Sequence, residues 1–247
     1  MNNRLPAELL AEFLGTLVLI LFGNGVVAMD VLFHKGGYTN ITLGWGLAVT
    51  MGIYIAGKTT GAHLNPAVTL TMAAFRGFPW SKVLPYCIVQ TAGAFCAAGL
   101  VFWNYRLQFL QVDPGLEKTA GIFTTFPAFP LQPAAGLLDQ VIGTALLLLM
   151  ILAITDERNT PPGGNMTPIM VGLIVVVVGM AFGGMHGYAI NPARDFGPRL
   201  WTVVAGFKNN GLTDGSMVFW VPIVGPLVGG LIGGAVYDFG IRKRLPA

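Results

Sequence analysis

The hydrophobic and polar positions along the chain fall into long apolar stretches separated by short polar breaks. Six stretches, about 6–29, 40–57, 83–104, 136–155, 166–184 and 217–239, are long enough to cross a bilayer as helices. A hydrocarbon core of about 30 Å takes roughly 20 helical residues. The breaks carry Gly, Pro, Asn and charge, as in "FHKGGYTN", "DERNTPPGGN" and "KNNGLTDGS". Two further segments, 65–76 and 191–203, do not fit. As helices they would each span roughly 18 Å, about half a bilayer. A half-helix reached through a re-entrant loop accommodates them. Irregular backbone at that depth is tolerated only where it is buried in protein or lines a cavity. The longest connection, about 105–135, is rich in Phe and Pro and is expected to fold over a surface.

The pattern recurs in order. Glu12 in "AEFLGT" corresponds to Gln140 in "LDQVIGT", Asn65 to Asn191, and Gly93 in "QTAGAF" to Gly225 in "PIVGPL". One membrane domain, 1–247, is thereby divided into a first repeat at 1–105, a connecting outer segment at 106–135 and a second repeat at 136–247. Each repeat holds three spans and one half-helix. Three is odd, so the second repeat sits upside down relative to the first. Inverted repeats place their site at the midplane, where interrupted helices meet. The expected fold is an all-α membrane protein: six transmembrane helices plus two re-entrant half-helices in an inverted repeat.

Composition agrees. The chain is 54% hydrophobic and 10% charged, against about 25% charged in a soluble domain, too little to cover a water-facing surface. Its 34 glycines suit close helix packing. A net charge of +3, thinly spread, offers no basic face for nucleic acid. The three histidines are scattered, with no nucleophile–base pair and no metal-ligand cluster, so neither an enzyme nor a metal or cofactor site is expected. Cys87 and Cys96 fall in one predicted helix, roughly 13 Å apart and too far for a disulfide. Arg4, Lys58, Arg76, Lys82, Arg158, Arg242, Lys243 and Arg244 gather on one side, against Lys35, Arg106, Lys118 and Lys208 on the other. The excess places both termini inside.

The candidate chemistry lies in "GAHLNPAVTL" (61–70) and "GYAINPARDF" (187–196). Asn is a good helix N-cap and Pro suits the first helical position. Asn65-Pro66-Ala67 and Asn191-Pro192-Ala193 therefore each open a half-helix. Their N-termini are expected to face one another, each with about half a positive charge. The Asn oxygen caps, which leaves its NH₂ to donate into the space between. The carbonyls of Gly61, Ala62, His63 and Leu64, and of Gly187, Tyr188 and Ala189, lie in segments expected to be extended. They need partners, which a passing polar solute can supply. Arg194 at membrane depth costs about 2.5–3.5 kcal/mol on insertion scales, so it is expected to face inward.

With these motifs in this order, the sequence resembles the major intrinsic protein family of aquaporins and glycerol facilitators over nearly its whole length. Asp195 in "NPARD" marks a likeness to the aquaglyceroporin branch. The resemblance implies an aquaporin-like right-handed bundle without a cofactor. It implies a passive channel for glycerol, small polyols and water that excludes protons and ions. It also implies a homotetramer in the lipid of the plasma membrane. The family's selectivity filter carries over to Trp45, Gly179, Tyr188 and Arg194. Water-selective members typically have His at the position of Gly179, so Gly179 is expected to widen the gap. Trp45 and Tyr188 would form an apolar corner, with Arg194 and the loop carbonyls taking hydroxyls. Glu12 and Gln140 would hold the loops, although the family usually has Glu at the second place, and often Phe at that of Tyr188. His186 either lines the outer mouth or is packed. Rival readings are a water-selective channel and an alternating-access carrier, which would need an intramembrane acid such as Glu12 or Asp139.

Overall fold

The computed structural model describes residues 4–246, and among them it holds helices and irregular connections but no strand. In chain order the helices are α1 (Leu5–Phe33), α2 (Tyr38–Thr60), α3 (Pro66–Phe75), α4 (Trp80–Asn104), α5 (Arg106–Val112), α6 (Pro133–Thr155), α7 (Thr167–His186), α8 (Pro192–Ala205) and α9 (Val221–Ala235). Six are long and apolar enough to cross a bilayer: α1, α2, α4, α6, α7 and the span Val218–Arg244 built around α9. With 10 and 14 residues, α3 and α8 are too short to do so. Proline opens α3, α6 and α8 and is second in α7, where its missing N–H has no intrahelical partner to lose.

Helix ends depart from the apolar boundaries where a polar side chain caps the turn beyond. Thus α1 runs on to Phe33. Asp30 reads as an end signal, yet its Oδ1 accepts from Gly37 N at 2.7 Å and its carbonyl accepts from His34 N. His34 then closes the helix in the left-handed conformation, at φ 55°.

The packing is reciprocal. Helix α1 packs on α2 and α4; α6 packs on α7 and α9. The half-helix α3 packs on α4 and α9, α8 packs on α9 and α4, and α2 crosses α7. Exchanging α1–α4 for α6–α9 maps this set of packings onto itself. The seams are close because glycine lines them. A β-carbon on Gly225 would stand 2.5 Å from Gln140 Cβ, and one on Gly229 or Gly233 would meet the carbonyls of Val141 or Ala145. That four-residue stripe therefore faces a helix of the same chain.

The connection between the halves folds inward. Phe109 of α5, Ile122 and Phe123 are all but fully buried. They pack in a second apolar cluster with Ala28, Phe102 and Phe207. This brings Phe123–Phe126 down onto α8, with consequences for the site.

Candidate functional site

The two loops reach their half-helices by one backbone path. Gly61 and Gly187 are left-handed, at φ 80° and 64°. So are Ala62 and Tyr188, at 53° and 37°, and Leu64 and Ile190, at 51° and 44°. Each loop is thus kinked at three of its four residues before the Asn rather than extended. Left-handed backbone costs a non-glycine residue about 1–3 kcal/mol, so the surroundings must hold these four in place.

Part of that hold comes from the asparagines. Asn65 Oδ1 accepts from Ala67 N at 2.8 Å. Asn191 Oδ1 accepts from Ala193 N and Arg194 N at 3.0 and 3.2 Å. Pro66, Ala67, Pro192 and Ala193 form the first turns and are buried. The amide nitrogens cross between the loops. Asn65 Nδ2 donates to Ile190 O at 2.9 Å, and Asn191 Nδ2 donates to Leu64 O at 2.8 Å. Only one N–H of each amide is therefore left over, and Leu64 O already has a partner. Both points correct the expectation that the whole NH₂ group and the Leu64 carbonyl stand free. Ile190 was not foreseen, although pairing the repeats residue by residue sets it opposite Leu64. The carbonyls of Gly61, Ala62, His63, Gly187, Tyr188 and Ala189 receive no hydrogen bond from the described residues.

Buried side chains behind the loops complete the hold. Glu12 accepts four hydrogen bonds, from Thr60 Oγ1, His63 N, Leu64 N and Gln90 Nε2, at 2.6–2.9 Å. Gln140 does less on the second loop. Its Oε1 accepts from Ile190 N at 2.9 Å and its Nε2 donates to His186 O at 3.2 Å. A carboxylate has two acceptor oxygens and an amide one, which accounts for the difference. The His63 ring lies edge-on to Phe78 and bonds Thr69 through Nδ1. The His186 ring is fully buried; a β-carbon on Gly136 of α6 would stand 2.5 Å from its Nδ1. It is packed and does not line the cavity described next.

A cavity with about 150 Å³ of water-accessible space runs past both asparagines, from Trp45, Tyr188 and Arg194 at one end to Met72, Thr155 and Thr167 at the other. Its lining combines the two loops, from Gly61 to Leu64 and from Tyr188 to Ile190, with apolar side chains that include Leu19, Val49, Val68, Leu147 and Val171. Gly179 and Gly187 lie outside the lining. The reason at Gly179 is plain: a β-carbon there would stand 2.8 Å from Tyr188 Cε2 and Cζ. The room left by the missing side chain is filled by the tyrosine ring. Arg194 faces the cavity, and the departure lies at Trp45. The guanidinium carbon of Arg194 stands 4.2 Å over the centroid of Trp45, and NH1 donates to Phe123 O at 3.0 Å. A cation is drawn to an aromatic face, so one face of Trp45 meets charge rather than an open apolar corner.

Asp195 points away from the cavity. Its carboxylate accepts from Thr125 N and Oγ1 at 2.7 and 2.8 Å and pairs with Arg199 at 2.8 Å, with both side chains fully buried. Arg199 in turn donates to Thr125 O and Asn210 O. Asp195 thus pins the connection against α8, and the same connection supplies the carbonyl that orients Arg194. Nothing in the sequence marks Phe123 or Thr125 for these roles.

Comparison with known proteins places this architecture. The model of the family described as Major intrinsic protein matches residues 3–237. An Aquaporin-10 of Milnesium tardigradum is 43% identical over 99% of this chain, which covers 65% of that protein, just under two thirds of its length. A glycerol uptake facilitator protein of Pseudomonas aeruginosa is 39% identical over 97% of this chain and 90% of its own. The X-ray structure of the aquaglyceroporin from Plasmodium falciparum superposes with a TM-score of 0.85 at 33% identity, covering 95% of this chain and 96% of that one.

Proposed function

Because the chain belongs to the major intrinsic protein family, a family of multi-pass membrane channels and not of enzymes, we propose that it is a passive channel for glycerol, other small neutral solutes and water. One observation carries the reading: two half-helices start at capped asparagines beside a single cavity, each amide tied to the opposite loop. The loops offer unpaired carbonyls and one N–H from each asparagine. The apolar side chains of the lining suit the carbon edge of a polyol. A solute sliding through exchanges water for this stripe of partners without a covalent step.

Trp45, Tyr188 and Arg194 are proposed as the selectivity filter, with Gly179 acting through the ring it accommodates. The positive half-helix ends and Arg194 oppose cations, protons included. Glu12 and Gln140 hold the loops. Against a coupled carrier, neither Glu12 nor Asp139 lines the cavity, and the oxygens of Glu12 are fully engaged by the first loop and its neighbours. The same reading places a homotetramer in the plasma membrane with both termini cytoplasmic. Light scattering of the detergent-solubilised protein tests the tetramer, and labelling of single introduced cysteines on intact cells tests the orientation.

Stopped-flow light scattering on reconstituted vesicles tests the channel itself. Water and glycerol should equilibrate faster than in bare vesicles, without saturation at low millimolar glycerol and without dependence on a proton gradient. Glycerol rates equal to those of bare vesicles, with water accelerated, would favour a water-selective channel instead.

A further inference from the structure

Tyr188 rests on α7. A β-carbon at Gly179 would stand 2.8 Å from its Cζ, and one at Gly183, a turn later, would stand 2.8 Å from its Cδ1. The two glycines make a shelf for the flat ring. Edge-on to that ring stands Tyr38, the first residue of α2, with centroids 6.5 Å apart and planes at 84°. This is a favoured aromatic geometry. The Tyr38 hydroxyl donates to Gly179 O at 2.6 Å. It passes where a β-carbon on Gly183 would sit, so only glycine admits it there.

We propose that Tyr38 is a positioning residue for permeation. It ties the start of α2 to the shelf on α7 and abuts the edge of Tyr188, and so sets the width of the constriction without touching the solute. The proposal rests on the reading of the cavity as a polyol and water pathway. Tyr38 is half exposed and absent from the cavity lining, so its influence passes through Tyr188. The Tyr188 hydroxyl has no hydrogen-bond partner among the described residues. Packing alone therefore fixes the ring: the shelf on one side and Tyr38 at its edge. Without Tyr38 the ring can relax into the vacated space and the gap widens.

The test compares wild type, Tyr38→Phe and Tyr38→Leu in vesicles, with water, glycerol and the four-carbon polyol erythritol measured on one preparation. In Tyr38→Leu the erythritol-to-glycerol permeability ratio should rise about three-fold or more. Tyr38→Phe, which loses only the hydrogen bond, should show a smaller rise in the same direction. Ratios equal to wild type in both variants overturn the proposal. So does a uniform fall of all three permeabilities, because that is the mark of a residue needed only for folding. If Tyr38→Leu fails to fold, the Phe variant decides alone. A wild type that conducts neither water nor glycerol overturns the channel reading and this proposal together, whereas flat ratios against a conducting wild type overturn this proposal alone.

Discussion

At Gly179 an added side chain meets an aromatic ring before it meets a solute. Gly179→His should push Tyr188 towards the cavity. Overpacking forces neighbouring side chains off their rotamers; if the displaced ring adds about 1.4 kcal/mol to the glycerol barrier, permeability falls roughly tenfold. Water, being smaller, should lose less; equal losses in the same vesicles would place the constriction elsewhere. A second residue-scale expectation concerns Asp113 in the connection between the halves. Burial alone would raise its pKa, but bonds from Glu117 N, Lys118 N and both Thr119 N and Oγ1 outweigh it and hold the carboxyl below its ordinary value. A depressed folded-state pKa contributes stability above the unfolded value, about 3.9, and that stability is lost as pH falls through the folded one. Hydrogen exchange at residues 117–119 should therefore be slow near neutrality and lose protection on acidification. Asp113→Asn should expose these amides already at neutral pH, weakening the turn by about 1–2 kcal/mol. Asn65, Asn191 and Arg194 were legible in the sequence because polar types stand out in an apolar pattern. Phe123 was not, because it acts through a backbone carbonyl that any residue type provides. Asp195 and Arg199, four residues apart on a helix, were open to reading as a pair.

Among the elements, spans were easier to read than their ends. Hydropathy locates a helix that faces lipid, but Asp30 secures the end of α1 through a hydrogen bond that apolar periodicity does not register. The re-entrant loops were legible as interruptions, yet their kinked path was not, since Ala62 and Leu64 carry no signal for left-handed backbone. The α6–α9 seam supplies a test at this scale. In Gly229→Val the new side chain meets the Val141 carbonyl, a backbone atom that cannot swing aside. Thermal unfolding in detergent should show a loss of about 1–3 kcal/mol. Gly25→Ala, where a β-carbon meets nothing within 4 Å, should be neutral or slightly stabilising. Equal losses in the two variants would mean that helix propensity rather than the seam decides.

Across the whole molecule the charge layout matters more than any one contact. The cavity lining includes Arg194 and no carboxylate, and two half-helices turn their positive ends towards its middle. Arg194→Val removes a full charge from this field. A unit charge at contact range is worth about 1 kcal/mol even in water and about 4 at a protein surface. Proton leakage, followed with a pH-sensitive dye in vesicles, should rise at least about five-fold; an unchanged leak would leave the barrier to the helix ends alone. The crossed asparagine bonds have one more consequence, in time rather than space. Asn65 waits for a carbonyl 125 residues further along the chain. At about 5–20 residues per second of synthesis, roughly 6–25 s pass between the emergence of the amide and that of its partner. Through that interval the first loop is an unfinished structure beside the ribosome, and its closing depends on the second half being made.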